Sequence, residues 1–219
     1  MEIDVNTIYS NLEKAILDGQ VEIGVSETLN LVESGKKPID IYTECIDPVL
    51  ASIGDQFSRL EIFLPELIHT AEVVKAIQIA LKPFMEADQT SIIRGKIVIA
   101  TVSGDLHDIG KNLVKAMLEV NGFQVKDLGV DVSLQTTINS AKEFNADIIA
   151  LSALMLPSLP SMKDVIDFVK ARDELKKRFK IIVGGGSVKQ EWADKAGADG
   201  YGENAIDAVA VARKQLGMN

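Results

Sequence analysis

Between Thr7 and Met85 the apolar positions recur at intervals of three and four, the period of a helix with one buried face. Ile8, Leu12, Ala15 and Ile16 form one stripe, and Val21, Val25, Leu29 and Val32 a second. Tyr42, Ile46, Val49, Leu50, Ile53 and Phe57 form a third, and Leu67, Ile68, Ala71, Val74 and Ala80 a fourth. Gly19 and Gly35 stand where left-handed helix caps belong, and Pro38 and Pro65 where a first helical turn tolerates proline. Pro83 should end or kink the fourth helix. Short loops between four helices predict a small antiparallel bundle over residues 1–88.

The pattern then lapses into Asp88-Gln89-Thr90-Ser91, and we place a linker at residues 89–95. From residue 96 to 219 short β-branched runs alternate with helical ones. Strands are expected at Lys96–Val102, Gln124–Leu128, Asp147–Leu151, Lys180–Val183 and near Gly200. Helices are expected at Ile109–Asn121, Leu134–Phe144, Met162–Arg178, Ser187–Ala196 and Asn204–Leu216. This rhythm predicts an α/β domain with a parallel sheet covered on both faces, which binds ligands beyond the carboxyl ends of its strands. Met85, Met117, Met155 and Met162 read as packing, and Trp192 as packing its helix on the sheet.

Charge narrows the function. Lys and Arg total 23 against 32 Asp and Glu, a net −9 over 219 residues, which argues against a nucleic-acid partner. The longest mainly apolar run, Ile148 to Met155, is less than half of the roughly 20 residues a membrane-spanning helix needs. The acidic start, Met1-Glu2-Ile3-Asp4, lacks the layout of a secretory signal. Cys45 is the sole cysteine, which suits a reducing compartment, so a cytoplasmic protein is expected.

The segment after the first strand carries the candidate chemistry: Ser103-Gly104-Asp105-Leu106-His107-Asp108-Ile109-Gly110-Lys111-Asn112. It is not a Walker loop, because its glycines are wrongly spaced and two aspartates would repel a phosphate. Nor does it hold the G-x-G-x-x-G of a dinucleotide fold. Two readings stand side by side. His107 is a surface loop histidine with Asp105 capping the next helix, or it is a metal-ligating imidazole whose far nitrogen donates to a carboxylate. A bare zinc ion wants three or four protein ligands, so a single histidine suggests the axial ligand of a metal already held by a macrocycle.

Asp105-x-His107-x-x-Gly110, followed by Ser152-Ala153-Leu154 and then Gly184-Gly185, resembles the D-x-H-x-x-G, S-x-L and G-G signature of cobalamin-binding domains in methionine synthase and in the corrinoid proteins of methyltransferase systems. Glu61-Ile62-Phe63-Leu64-Pro65-Glu66 is similar to part of their helical cap. The resemblance implies a four-helix bundle cap followed by a Rossmann/flavodoxin-like domain with a five-stranded parallel sheet. It implies that His107 binds the cobalt of cobalamin or a related corrinoid, and that Asp105 accepts from the other ring nitrogen. Ser158 would extend this relay. Gly104, Asp105, Leu106, Asp108, Ile109 and Gly110 would contact the cofactor around His107. The corrinoid's displaced nucleotide tail would enter a slot lined by Ser152, Leu154, Gly184 and Gly185 and closed by Asn204 and Ala205. Phe63 and Leu64 would cover the upper face.

The implied function is a methyl shuttle, a cofactor-carrying component that is not catalytic alone. Co(I) accepts a methyl group from a donor-specific corrinoid methyltransferase, and methyl-Co(III) is presented to a second methyltransferase that passes it to a pterin or thiol carrier. A reductive activase is a further implied partner; nucleic acid and membrane are not. The alternatives are the cobalamin-binding subunit of an adenosylcobalamin mutase, which generally lacks such a cap, and a cobalamin-dependent regulator, which needs a DNA-binding segment.

Overall fold

Why each helix buries the face it does follows from the size of the residues on it. The structure, a computed structural model, describes residues 5–88 and 93–218; part of the expected linker, and the acidic start of the chain, lie outside the described residues. The chain divides into two compact units, residues 1–93 with 119–122 and residues 94–118 with 123–219.

In the first unit, α1 (Val5–Leu17) buries Ile8, Leu12, Ala15 and Ile16, the expected stripe. α2 (Val21–Glu33) turns a different face inward from the expected one: Gly24, Thr28 and Leu31 are buried, while Val21, Val25, Leu29 and Val32 are half-buried. The reason is close approach. A Cβ on Gly24 would lie 2.8 Å from Val73 Cγ1, so the smallest residue of α2 faces the long helix over Leu64–Asp88 that carries Val73. Thr28 is tolerated there because its hydroxyl donates to the Gly24 carbonyl at 2.7 Å.

The third expected helix runs from α3 (Pro38–Ile41) through a π turn (Tyr42–Ile46) into α4 (Asp47–Ser58). Pro48 has no N–H to return to the Glu44 carbonyl, and the wider turn accommodates that missing bond. Cys45 lies buried in it, and burial, with the nearby Glu13 charge, pushes its thiol up to about 12. α5 (Leu64–Asp88) continues past Pro83, so of the two expected outcomes, an end or a kink, the helix does not take the first. The carbonyl that loses its partner belongs to Ile79, a residue on the exposed side of α5. The inward face of α5 comprises Leu67, Thr70, Ala71, Val73, Val74, Ile77 and Leu81, with Ile68 outside.

In the second unit, β1 (Lys96–Thr101), β2 (Gln124–Asp127), β3 (Ile148–Ser152), β4 (Lys180–Gly184) and β5 (Gly200–Gly202) form an all-parallel sheet in the order β2-β1-β3-β4-β5. This is the flavodoxin-like order, in which the chain's direction of travel across the sheet reverses between β1 and β3. β1 and β3 are almost wholly buried, as strands covered on both faces must be. The helices are α6 (Ile109–Val120), α7 (Leu134–Phe144), α8 (Leu159–Lys170), α9 (Asp173–Arg178), α10 (Gln190–Ala196) and α11 (Ala205–Gln215).

The single helix expected over Met162–Arg178 is two, α8 and α9, broken at Arg172, which is extended (φ −123°, ψ 109°). The stripe of Met162, Val165, Ile166 and Val169 explains the break. Its next inward positions fall on charged residues, and the chain must turn to bury Leu175 and Phe179. Met117 and Met162 are buried as expected, but Met155 is exposed.

A buried ion pair ties α6 to the sheet. Lys111 is 2% exposed, and its Nζ lies 2.7 Å from both carboxylate oxygens of Asp127 and 2.7 Å from Asn112 Oδ1. Burial alone would raise the Asp127 carboxyl. The hydrogen bond from Lys111, the Gly129 amide and the charges of Lys111 and Lys115 outweigh it and hold that carboxyl below its ordinary range. Removing one member of such a pair strands the other. Asp127→Asn is expected to destabilise the protein by about 3 kcal/mol, and adding Lys111→Met to recover most of that loss. Urea unfolding of the two variants checks this, and a double variant no more stable than the single one contradicts it.

Candidate functional site

The segment Val102–Asp108 leaves β1 at the switch point, and a single carboxylate organises it. Asp105 is fully buried. Its Oδ1 accepts from the His107 amide at 3.0 Å and lies 2.7 Å from His107 Nδ1. Its Oδ2 accepts from the amides of Leu154 at 2.7 Å and Met155 at 3.1 Å. Ser158 Oγ stands 3.1 Å from the same Oδ2 and 2.7 Å from the Met155 carbonyl, so its one proton serves either acceptor in turn. Asp105 therefore does not cap α6. Burial works to raise its carboxyl, but the His107 amide and imidazole and the amides of Met155 and Leu154 outweigh burial and hold it well below the usual carboxylate range.

A carboxylate that stays ionised must be given the Nδ1 proton of the imidazole. The tautomer is thereby fixed, and the Nε2 lone pair is left for a ligand. The His107 side chain is 52% exposed, so that lone pair is accessible. Leu106 (72%), Ile109 (79%) and Leu156 (70%) are exposed on the same two loops, with Leu154 and Met155 partly so. Large apolar side chains grouped in the open around one imidazole mark a surface meant to be covered. Among the described residues no three His, Cys, Asp or Glu side chains come together as a metal-ligand set.

Other residues hold the loop. Thr101 Oγ1 donates to the His107 carbonyl at 2.9 Å. Asp131, in a left-handed conformation (φ 52°), accepts from the Gly104 amide at 2.7 Å and the Ser103 hydroxyl at 3.1 Å. Its own amide donates to the Asp105 carbonyl at 3.0 Å. Sequence reasoning passed over Asp131, Lys111 and Asp127. The one available signal was a pair of carboxylates, Asp127 and Asp131, at and just beyond the end of β2.

A cavity of about 390 Å3 opens beside this edge, between the sheet and the helices α6 and α11. Ser152, Gly184, Asn204 and Ala205 line it, as does Gly185; Leu154 stands outside it, its carbonyl accepting from Ser187 Oγ. Gly110 lines it as well. Two glycines are required by geometry. A Cβ on Gly185 (φ +107°) would lie 2.3 Å from the Ala153 carbonyl oxygen, and one on Gly184 would lie 2.8 Å from that of Gly202. Asn204 caps α11, its Oδ1 accepting from the amides of Ile206 and Asp207 at 3.0 and 2.9 Å. In the helical unit, Phe63 is 60% exposed, its amide donating to Glu66 Oε2 at 3.2 Å, and Leu64 opens α5 half-buried. Among the described residues no helix is long and apolar enough to cross a membrane.

Family comparison decides the assignment. Residues 95–210 match a B12 binding domain, and residues 8–82 match a second family with the same description. The chain belongs to the B12-binding family. Dimethylamine corrinoid protein 1 of Methanosarcina acetivorans is 43% identical over 192 residues, 86% of this chain and 89% of that protein. A cobalamin-binding protein from Desulfitobacterium hafniense shares the fold at TM-score 0.69 and 32% identity, covering 97% of this chain and 98% of that one. The methanol:cobalamin methyltransferase complex MtaBC of Methanosarcina barkeri contains a chain matching at TM-score 0.81 and 27% identity, covering 98% of this chain and 81% of that one.

The residues present fit the corrinoid that this B12-binding family takes. One imidazole has its outer nitrogen open, exposed apolar side chains flank it, and the adjoining cavity is edged by Gly184 and Gly185, where a Cβ would strike neighbouring backbone. Gly185→Ala is expected to destabilise the second unit by about 1–3 kcal/mol, because it combines a positive φ with a backbone clash. It should also weaken corrinoid retention. Thermal unfolding and gel filtration of the coloured protein check both, and an unchanged midpoint contradicts the clash.

Proposed function

We propose that this B12-binding chain is a methyl carrier that works between two methyltransferases, with His107 Nε2 as the protein's ligand to cobalt. When bound, a corrinoid supplies a cobalt that takes a methyl group from one enzyme and gives it up to the next. The single observation that carries the reading is the Asp105–His107 pair: a buried carboxylate on Nδ1 and an open lone pair on Nε2.

The rest of the chain's part is to hold and orient. Asp105 keeps the Nδ1 proton in place and, through Oδ2, joins the imidazole to Leu154, Met155 and Ser158. Leu106, Ile109 and Leu156 offer an apolar bed around the imidazole that excludes water. The cavity beside Gly184 and Gly185 receives the cofactor's nucleotide tail, with Asn204 and Ala205 at the start of α11 closing it. Exposed Phe63 and its neighbour Leu64 suit contact with the cofactor's other face. Finer points of the reading are a final methyl acceptor of pterin or thiol type, a reductive activase as a third partner, and a cytoplasmic location. Donor chemistry lies in the partner enzyme, so this chain need not encode it.

Visible spectra test the ligand. The reconstituted protein should show a histidine-ligated corrinoid, His107→Ala a corrinoid without that ligand, and Asp105→Asn a loss of roughly 10–100-fold in corrinoid affinity. An unchanged spectrum in His107→Ala would refute the assignment.

A further inference from the structure

The cavity beside the switch point has an uneven chemistry that bears on which corrinoid it accepts. Strand register sets its wall. Ile99, Ala150 and Ile182 sit side by side on β1, β3 and β4, and one step towards the strand ends Ser152 and Gly184 pair, with Gly202 next to Gly184. Side chains alternate faces along a strand, so these two rows share one face of the sheet. The deeper row is hydrocarbon and the outer row is small, and Leu113 and Val114 of α6 add further hydrocarbon.

The polar side chains on this lining are nearly all committed elsewhere. Lys111 Nζ is held by Asp127 and Asn112. The Tyr201 hydroxyl donates to the Val188 carbonyl at 3.3 Å, and Asn204 is spent on the cap of α11. Lys189 and Glu203 are exposed to solvent. The strand amides and carbonyls are engaged in the parallel ladder. Ser152 Oγ is left as the inward hydroxyl with no hydrogen bond among the described residues.

We propose that this cavity selects the corrinoid by its lower base, taking a benzimidazole with a hydrocarbon edge and discriminating against an aminopurine. The inference rests on the reading that the cavity receives the nucleotide tail. A benzimidazole joined to its ribose has a single ring nitrogen left, an acceptor that one serine proton satisfies. An adenine joined in the same way keeps three ring nitrogens and an amino group, and the sheet face of the cavity has one uncommitted side-chain donor, Ser152 Oγ, to offer them, the exposed Lys189 standing beyond the strand end. Each polar group buried without a partner lowers affinity by roughly ten- to a hundredfold.

The test titrates the full chain, produced without corrinoid, with cobalamin, with its adenine counterpart and with cobinamide, which has no nucleotide. Equilibrium dialysis gives Kd and the visible spectrum reports ligation. The adenine form should bind roughly tenfold or more weakly than cobalamin. Ser152→Ala should weaken cobalamin more than the adenine form and so narrow that gap. Equal affinities of the two complete corrinoids in the wild-type protein would overturn the base selectivity, and a gap unmoved by Ser152→Ala would overturn the part given to the serine. Cobinamide binding as tightly as cobalamin would instead show that the cavity does not take the tail, and no binding of any of the three would sink the corrinoid reading itself.

Discussion

An ionised carboxylate with no exposed surface must have every lone pair answered, and Asp105 is that carboxylate. The one-residue gap between Asp105 and His107 follows from this need. Oδ1 takes the backbone amide two residues on, the turn that aspartate side chains make readily, and in that turn the imidazole of the same residue reaches the same oxygen. Oδ2 then faces away from the histidine. It is answered from another part of the chain, about fifty residues later, by the two amides and the hydroxyl that follow β3. One oxygen sets the ligand and the other anchors it to the scaffold. Two loops far apart in sequence are thereby held as one object.

That arrangement depends on the strand order. β1 and β3 are neighbours because the sheet reverses direction between them, so the loops leaving their carboxyl ends diverge and leave a crevice. On one side stands His107, and on the other the sheet edge runs out through Ser152, Gly184 and Gly202. Gly185 makes the second requirement explicit. The chain leaving β4 passes so near the Ala153 carbonyl that no side chain fits, and the same Ala153 belongs to the loop whose next two amides hold Asp105. The ligand side and the cavity side of the site thus meet at residues 153–155.

Sequence reasoning reached the strands and most helices because burial on both faces, or on one, forces a period that residue types report directly. It placed α7 at Leu134–Phe144 and began α11 at Asn204, one residue before its first helical residue, for that reason. It failed where a small residue displaces the apolar stripe. On α2 the buried face is set by Gly24, since helix approach rewards absence of bulk, and a search for large apolar residues finds the wrong side. At Pro83, where an end or a kink was expected, the helix does not end, because a missing N–H removes one bond and leaves the rest of the ladder in place. In the site, Asp105 and His107 were found because their types carry the chemistry, and Ser158 through the family resemblance. The Leu154 and Met155 amides and Asp131 were not, because backbone donors leave no mark in residue identity and an aspartate beyond a strand end looks like any turn residue.

A half-exposed imidazole on a loop would ordinarily lose affinity for its ligand to the freedom it gives up on binding, typically about 0.5–1.5 kcal/mol for each side chain immobilised. Here the freedom is already gone. Thr101 holds the His107 carbonyl, and Asp105 holds both its amide and its ring. Asp131 grips Ser103, Gly104 and Asp105 together from a left-handed conformation that a non-glycine residue adopts at some cost. Behind this layer the Lys111–Asp127 pair fixes the start of α6, the helix into which the loop runs. Each layer draws its ordering free energy from folding, where the buried strands supply it, and none from binding. The exposed apolar residues then have a fixed geometry to present, and on the proposed reading a flat ring would meet an imidazole already held in place. A carrier that must hold one cofactor while two different enzymes approach in turn gains most from such preorganisation, because its grip then does not depend on either visitor.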